Sequence, residues 1–261
     1  MIKKPDVAGL FYPDDQKVLS DYIQQNLMNA PDIHIDSRVI VAPHAGYQFS
    51  GPIAATSYKL LKNKKDVRNI VLLSPAHRYP LEGVAYHQAD YFSTPMGTIK
   101  VNKKKLAMAH SLPFVREHST SFHNEHGLEV HLPFIQIVAP QASIIPFVVG
   151  RTNIDHVTQL LNLYWDDPSI FFIISSDLSH FHKYDHCQKL DGQTSKWIQN
   201  LEYEKITGEH ACGFYALRGL LKFMKDKNYK GQILDVRNSG DTSGHRDEVV
   251  GYGSFSFYEK K

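Results

Sequence analysis

The chain has 261 residues, 42% apolar and 21% charged, which is enough to bury a substantial core without disulfide or metal staples. Its 29 basic and 27 acidic side chains leave a net charge of +2, which argues against a nucleic-acid-binding or membrane-surface protein. Apolar runs such as "FFII" and "SIIPFVV" are far too short to span a bilayer, and the start "MIKKPDVAGLFYPDD" lacks the apolar core of a signal peptide, so a soluble, cytoplasmic protein is expected.

Helical and extended segments alternate along the chain. "PDDQKVLSDYIQQNLMNA" reads as a helix with Pro13 near its first turn and acids beside it, "RVIVA" as a fully buried strand, and "GPIAATSYKLLK" as a helix. "NIVLLS" is a second buried strand ending at "PAHRYP", and residues 83 to 101 read as antiparallel strands around a Pro-Met-Gly turn. "NEHGLEVHLPFIQIVA" is expected to be one helix kinked at Pro133. Then come strand, helix and strand in "SIIPFVVG", "NIDHVTQLLNLYW" and "SIFFIISS". Helices near 185 to 200 and 209 to 225 precede "GQILDVRNSGD" and the closing strand "VVGYGSFSFY". Buried strands with helices between them predict an α/β fold, a three-layer α/β/α sandwich with a central mixed, largely parallel sheet. No repeat or Pro/Ser/Gly-rich linker divides the chain, so a single domain over 1–261 is expected.

The unusual count is 15 histidines beside 2 cysteines. In open α/β sheets the loops beyond the carboxyl ends of the strands share one crevice. His44 lies two residues past "RVIVA" and His77 three past "NIVLLS"; Asp177 and His180 follow "SIFFIISS", and Asp241 to His245 follow "QILDVRNSG". Four strands thus deliver metal-ligand or acid/base residues at the same kind of position. Imidazoles and carboxylates from separate loops suit Fe(II), Zn(II), Cu(II) or Mn(II), with positions left open for chemistry. Gly46 and Gly51 would let the backbone approach this site closely, and Pro43 and Pro75 would stiffen the turns carrying His44 and His77. Asp177 could instead cap a helix starting near Leu178. "HNEHGLEVH" at 123 to 131 lacks the HExxH spacing of a zinc protease and has a plain alternative as a polar helix face, although Glu129 or His131 could support the metal or contact substrate. Cys187 and Cys212 read as free structural thiols.

The motifs "AGLFYP" at 8 to 13, "PHAGYQFSG" at 43 to 51, "SPAH" at 74 to 77, "TPMGT" at 94 to 98, "EHGLEVHLPF" at 125 to 134, "SSDLSH" at 175 to 180 and "GYGSFSFY" at 251 to 258 resemble those of the Memo family, whose fold is similar to that of class III extradiol ring-cleaving dioxygenases. The resemblance implies that His44 and His77 are metal ligands, that Asp177 and His180 line the same pocket, and that His180 is the acid/base histidine. Animal Memo proteins place a third ligand, a cysteine, near the C-terminus. No cysteine follows Cys212 here, and Asp241 and His245 stand in the stretch taken to correspond, so each is a candidate third ligand. With Asp241 the set favours non-haem Fe(II); with His245, Zn or Cu fits equally well. The implied activity is a dioxygenase-like oxidoreductase acting on a small-molecule substrate. A metal-dependent hydrolase, or a ligand- or peptide-binding module using the same pocket, are the alternatives, since animal members are linked to phosphotyrosine-peptide recognition. Only Arg78 and Arg246 are near enough in sequence to meet a phosphate. The resemblance also implies a functional link to radical-SAM and Ammecr-domain proteins.

Overall fold

The structure, a computed structural model, describes residues 1–62, 64–242 and 244–260. In chain order the elements are β1 (Ile2–Lys3), α1 (Gln16–Asn29), β2 (Val39–Ala42), α2 (Tyr47–Lys62), β3 (Asn69–Pro75), β4 (Val84–Tyr86), β5 (Tyr91–Thr94), β6 (Gly97–Lys100), α3 (Lys103–Met108) and β7 (Val115–Glu117). There follow α4 (His126–Glu129), α5 (His131–Val138), β8 (Ser143–Val149), α6 (Ile154–Trp165), β9 (Ile170–Ser175), β10 (His180–His182), α7 (Tyr184–Gln199), α8 (Phe214–Asp226), β11 (Tyr229–Asn238), α9 (Ser239–Thr242) and β12 (Val249–Glu259).

The centre of the main sheet is parallel, in the order β2-β9-β3-β8. Its strands are the continuous apolar runs that burial on both faces demands, and every residue of β2, β3 and β9 is buried. Antiparallel pairing flanks this centre, with β12 against β2 and β4 against β8, while β10 and β11 both pair with β12. Helices α1, α2 and α5 pack together as one outer layer; α6, α7 and α8 form the other, α8 lying on β3 and β9 and α7 on β11 and β12. The fold is therefore the expected α/β/α sandwich with a mixed sheet. Strands β1, β5 and β6 make a separate small sheet, with β5 and β6 joined by the turn at Pro95 and Met96. Among the described residues, no helix is long and apolar enough to cross a membrane.

Local details depart from the sequence-based expectation. Helix α1 begins at Gln16, after Pro13, because the Asp15 side chain accepts from Val18 N at 2.9 Å and caps the first turn. The long helix expected through Pro133 is two short ones separated at Val130, with Glu125 capping α4. Pro133 sits in the first turn of α5, where its missing N–H removes no helical bond. Gly51 faces α1 and not the site: a Cβ there would meet the Tyr22 hydroxyl at 2.8 Å, so the glycine permits close helix packing.

Register decides what happens at the upper edge of the sheet. Ala42 pairs with Ser175, Leu73 with Ile174 and Pro75 with Val149, so β2, β3 and β9 end almost level. Whatever follows each of them emerges into the same space.

Candidate metal centre

His44 is carried there by the turn after β2, and this turn is held from below. Asp177 Oδ1 accepts from His44 N at 2.7 Å, and Ser176 N donates to Ala42 O at 3.0 Å, so the loop after β9 fixes the loop after β2. Asp177 caps no helix, because the chain after it runs into β10. The His44 ring is buried, its Nδ1 lying 2.6 Å from Ser175 Oγ.

His77 follows β3 and is gripped twice by one buried carboxylate. Glu125 Oε2 accepts from His77 N at 2.6 Å, and Glu125 Oε1 accepts from His77 Nδ1 at 2.7 Å. Burial pushes the Glu125 carboxyl upward, but the hydrogen bonds and charge at His77 outweigh it and hold the group below the usual range. With Nδ1–H donated to Glu125, the lone pair of His77 lies on Nε2, the arrangement common in metal-ligating imidazoles.

The third imidazole is His126, at the start of α4. The ligand atoms of His44, His77 and His126 all lie within 4.8 Å of one another. The His126 ring stacks between Phe11, at 4.5 Å, and His77, at 4.6 Å between ring centres. Gly127 makes this possible, since a Cβ there would stand 2.7 Å from Ser74 Oγ and 3.1 Å from His77 Cε1. Burial first, and the neighbouring His77 second, push His126 down to about 4; the same two causes put His44 well below the ordinary histidine value. His44 and His126 are thus neutral at pH 7, as metal ligation requires.

This donor set fits a metal ion. Three imidazoles converge, and His126 Nδ1 is buried without a hydrogen-bond partner among the described residues. An orphaned nitrogen of this kind is costly unless something else satisfies it.

Cys212, in the turn before α8, adds a fourth potential donor: its Sγ lies 3.2 Å from His44 Nε2 and accepts from Asp177 N at 3.3 Å. Burial, and then the charge of Asp177, push its thiol well up, so S–H donates to the His44 lone pair. This corrects the reading of Cys212 as a purely structural thiol, and with it the supposed lack of a cysteine near the site. Asp177 Oδ2 stands 3.9 Å from His44 Nε2, and its carboxyl is raised by burial, opposed chiefly by His180. His180 Nδ1 donates to Leu178 O at 2.9 Å, which leaves Nε2 as its basic nitrogen, and its charge is felt at His44, His126 and Asp177.

The expected third ligands lie elsewhere. Asp241 is exposed and accepts from Tyr184 Oη and from Asn238 N, while His245 is exposed; neither belongs to the imidazole group. The reason is topological: β11 reaches the same edge of the sheet but is separated from β2 by β12, and α9 follows it directly. Glu129 is also away from the metal position, accepting from Asp6 N, Val7 N and Tyr12 Oη at 2.7 to 2.9 Å. His131, by contrast, does reach the site indirectly, through Ser175.

A level set of strand ends in an α/β/α sandwich, topped by converging imidazoles, defines a site that could hold a metal ion. Comparison with known proteins gives the family. A model described as Memo-like protein matches residues 3–256. A MEMO1 family protein of Methanobrevibacter smithii is 32% identical over 98% of this chain and 100% of its own length. The MEMO1 family protein Ta0237 of Thermoplasma acidophilum is 31% identical over 97% and 98%, and one from Thermotoga petrophila is 31% identical over the same shares. The chain belongs to the Memo family.

Proposed function

We propose that this chain is a non-haem, metal-dependent redox enzyme of dioxygenase-like type acting on a small substrate. The observation that carries the reading is the convergence of His44, His77 and His126 at the carboxyl ends of parallel strands. His44, His77 and His126 would hold the ion, with the Cys212 sulfur beside His44 available to complete the set. Fe(II) is the first choice, with Cu or Zn compatible with the same donors. When bound, the ion would supply a Lewis-acidic, redox-active centre with an open position for substrate.

The chain's own groups divide the remaining work. His180, with Nε2 free, takes up or delivers a proton at the substrate. The buried Asp177 carboxyl holds the His44 turn in place and offers a counter-charge when His180 is protonated. Phe11 covers one face of His126 and limits water on that side.

The test is elemental analysis of tag-free protein purified anaerobically under reducing conditions, alongside His44→Ala and His77→Ala. Close to one equivalent of iron or copper in the parent, lost in both folded variants, is the expected result. Oxygen consumption with catechols then tests the dioxygenase chemistry. A parent without metal after this treatment would overturn the redox reading in favour of a pocket that only binds ligand.

A further inference from the structure

Behind His44 runs a chain of buried polar groups that the proposed reaction does not use. Ser175 Oγ, in the last residue of β9, is 2.6 Å from His44 Nδ1, 2.7 Å from His131 Nε2 and 2.6 Å from Gly127 O. His131 Nδ1 in turn lies 2.7 Å from Tyr58 Oη. Tyr58, His131, Ser175 and His44 are all buried.

Counting protons along this chain leaves one arrangement. A carbonyl oxygen only accepts, so the single hydroxyl proton of Ser175 goes to Gly127 O. The other two contacts to Ser175 Oγ must then be made by N–H donors: His44 Nδ1–H and His131 Nε2–H. His131 Nδ1 is left as an acceptor, and the Tyr58 hydroxyl donates to it. On the far side, His44 Nε2 has no proton and receives the Cys212 thiol.

We infer that Tyr58, His131 and Ser175 are positioning residues, a relay that locks His44 in its Nδ1–H tautomer and so keeps the Nε2 lone pair facing the ion position. This rests on the metal reading for its purpose, but the tautomer itself is a property of the metal-free chain. The relay also joins two layers of the fold, since Tyr58 on α2 and His131 on α5 belong to one helical layer and Ser175 to the sheet. Such outer partners of a ligating imidazole fix ring orientation and set its basicity.

The experiment is long-range ¹H–¹⁵N correlation NMR on metal-free protein with ¹⁵N-labelled histidine, combined with Zn²⁺ titration as a diamagnetic probe. His44 should show a protonated Nδ1 and a bare Nε2, and His131 the reverse. Ser175→Ala should weaken Zn²⁺ binding by about tenfold. Tyr58→Phe deletes one oxygen and keeps the ring that stacks on Phe134, so it guards against a serine variant that does not fold. It should leave His131 protonated on Nε2, which Ser175 Oγ still requires, and move the resonance of the bare Nδ1 as it loses the Tyr58 proton, a change that loss of packing alone would not produce. Either imidazole in the opposite tautomer in the parent would overturn the inference, as would a folded Ser175→Ala protein with parental Zn²⁺ affinity or a Tyr58→Phe protein with an unchanged His131 spectrum. A parent with the expected tautomers that binds no ion would remove the metal reading and leave the relay in place.

Discussion

Glu125 holds His77 at both its main chain, 2.6 Å from the backbone nitrogen, and its ring, 2.7 Å from Nδ1. The same Oε1 accepts from Gly127 N at 3.0 Å, so one carboxylate ties the loop after β3 to the helix that begins with His126. Replacing it by glutamine keeps one acceptor and puts an amide donor where the other was. Glu125→Gln is expected to weaken metal binding by about 10- to 100-fold while the protein stays folded. Competition against a chromogenic chelator measures this; an unchanged affinity would remove Glu125 from the site.

The choice of third ligand can be tested by contrast. His126→Ala takes a donor from beside His44 and His77, and Cys212→Ser one from beside His44, and each should lower metal occupancy measurably. Asp241→Ala and His245→Ala alter exposed groups outside the cluster and should leave occupancy at the parental level. Metal content after equilibrium dialysis reads all four. Loss of metal in either of the last two would restore the C-terminal ligand expected from sequence.

Gly127 gives a steric counterpart. Its missing Cβ would meet Ser74 Oγ and the edge of the His77 ring, so Gly127→Ala must displace one of them. A stability loss on the order of 1–3 kcal/mol is expected from overpacking, together with weaker metal binding. Denaturation midpoints and metal titration would separate the two effects; neither changing would show that the loop relaxes freely.

The Glu129 carboxylate has a structural task that its place in the histidine-rich motif conceals. It collects the N–H groups of Asp6 and Val7 and the Tyr12 hydroxyl, and Lys3 Nζ stands 3.8 Å away. This pins the N-terminal segment that supplies Phe11 to His126. Glu129→Gln is expected to cost about 2 kcal/mol, because an amide cannot satisfy three donors as a carboxylate does. Urea unfolding would show it, and a cost under 0.5 kcal/mol, on the order of an ordinary surface change, would contradict the assignment.

Much of the site was legible because His44, His77, Asp177 and His180 each follow a buried parallel strand, and the rule for such sheets needs only strand ends. His126 and Glu125 follow no strand of the parallel core: they reach the site from the long excursion between β7 and α5, where sequence offers no register. The absence of HExxH spacing argues against a zinc protease but says nothing about a ligand supplied singly. Cys212 precedes the C-terminal stretch in which the resemblance places the third ligand, so its proximity to His44 is not apparent from sequence. The signal available was its neighbour Gly213, whose Cβ would lie 2.5 Å from Ser175 O, a close approach to the end of β9 that only glycine allows. Asp241 and His245 shared the strand-end pattern, but a strand at the flank, outside β12, does not open onto the parallel centre.

The buried imidazoles make a pH dependence with a definite sign. Burial alone pushes His131 down to about 3, against 6.5 for an ordinary histidine. Between those values the unfolded chain binds a proton that the folded chain does not, so stability falls as pH drops from about 6.5 toward 3, by up to about 1.4 kcal/mol per pH unit for each such group. His126, at about 4, and His44 act in the same direction. Asp177, raised by burial, works oppositely, because its folded form takes up a proton before the unfolded one does. With four lowered histidines, His87 included, against the two raised carboxyls Asp177 and Asp191, the metal-free protein should lose stability steeply below pH 6.5. His131→Phe removes one of these titrations and leaves Ser175 and Tyr58 short of a partner, so it should be less stable at pH 7 but decline more gently. Urea midpoints at pH 7, 6, 5 and 4.5 would then converge, and parallel declines would show that His131 is not held neutral in the fold.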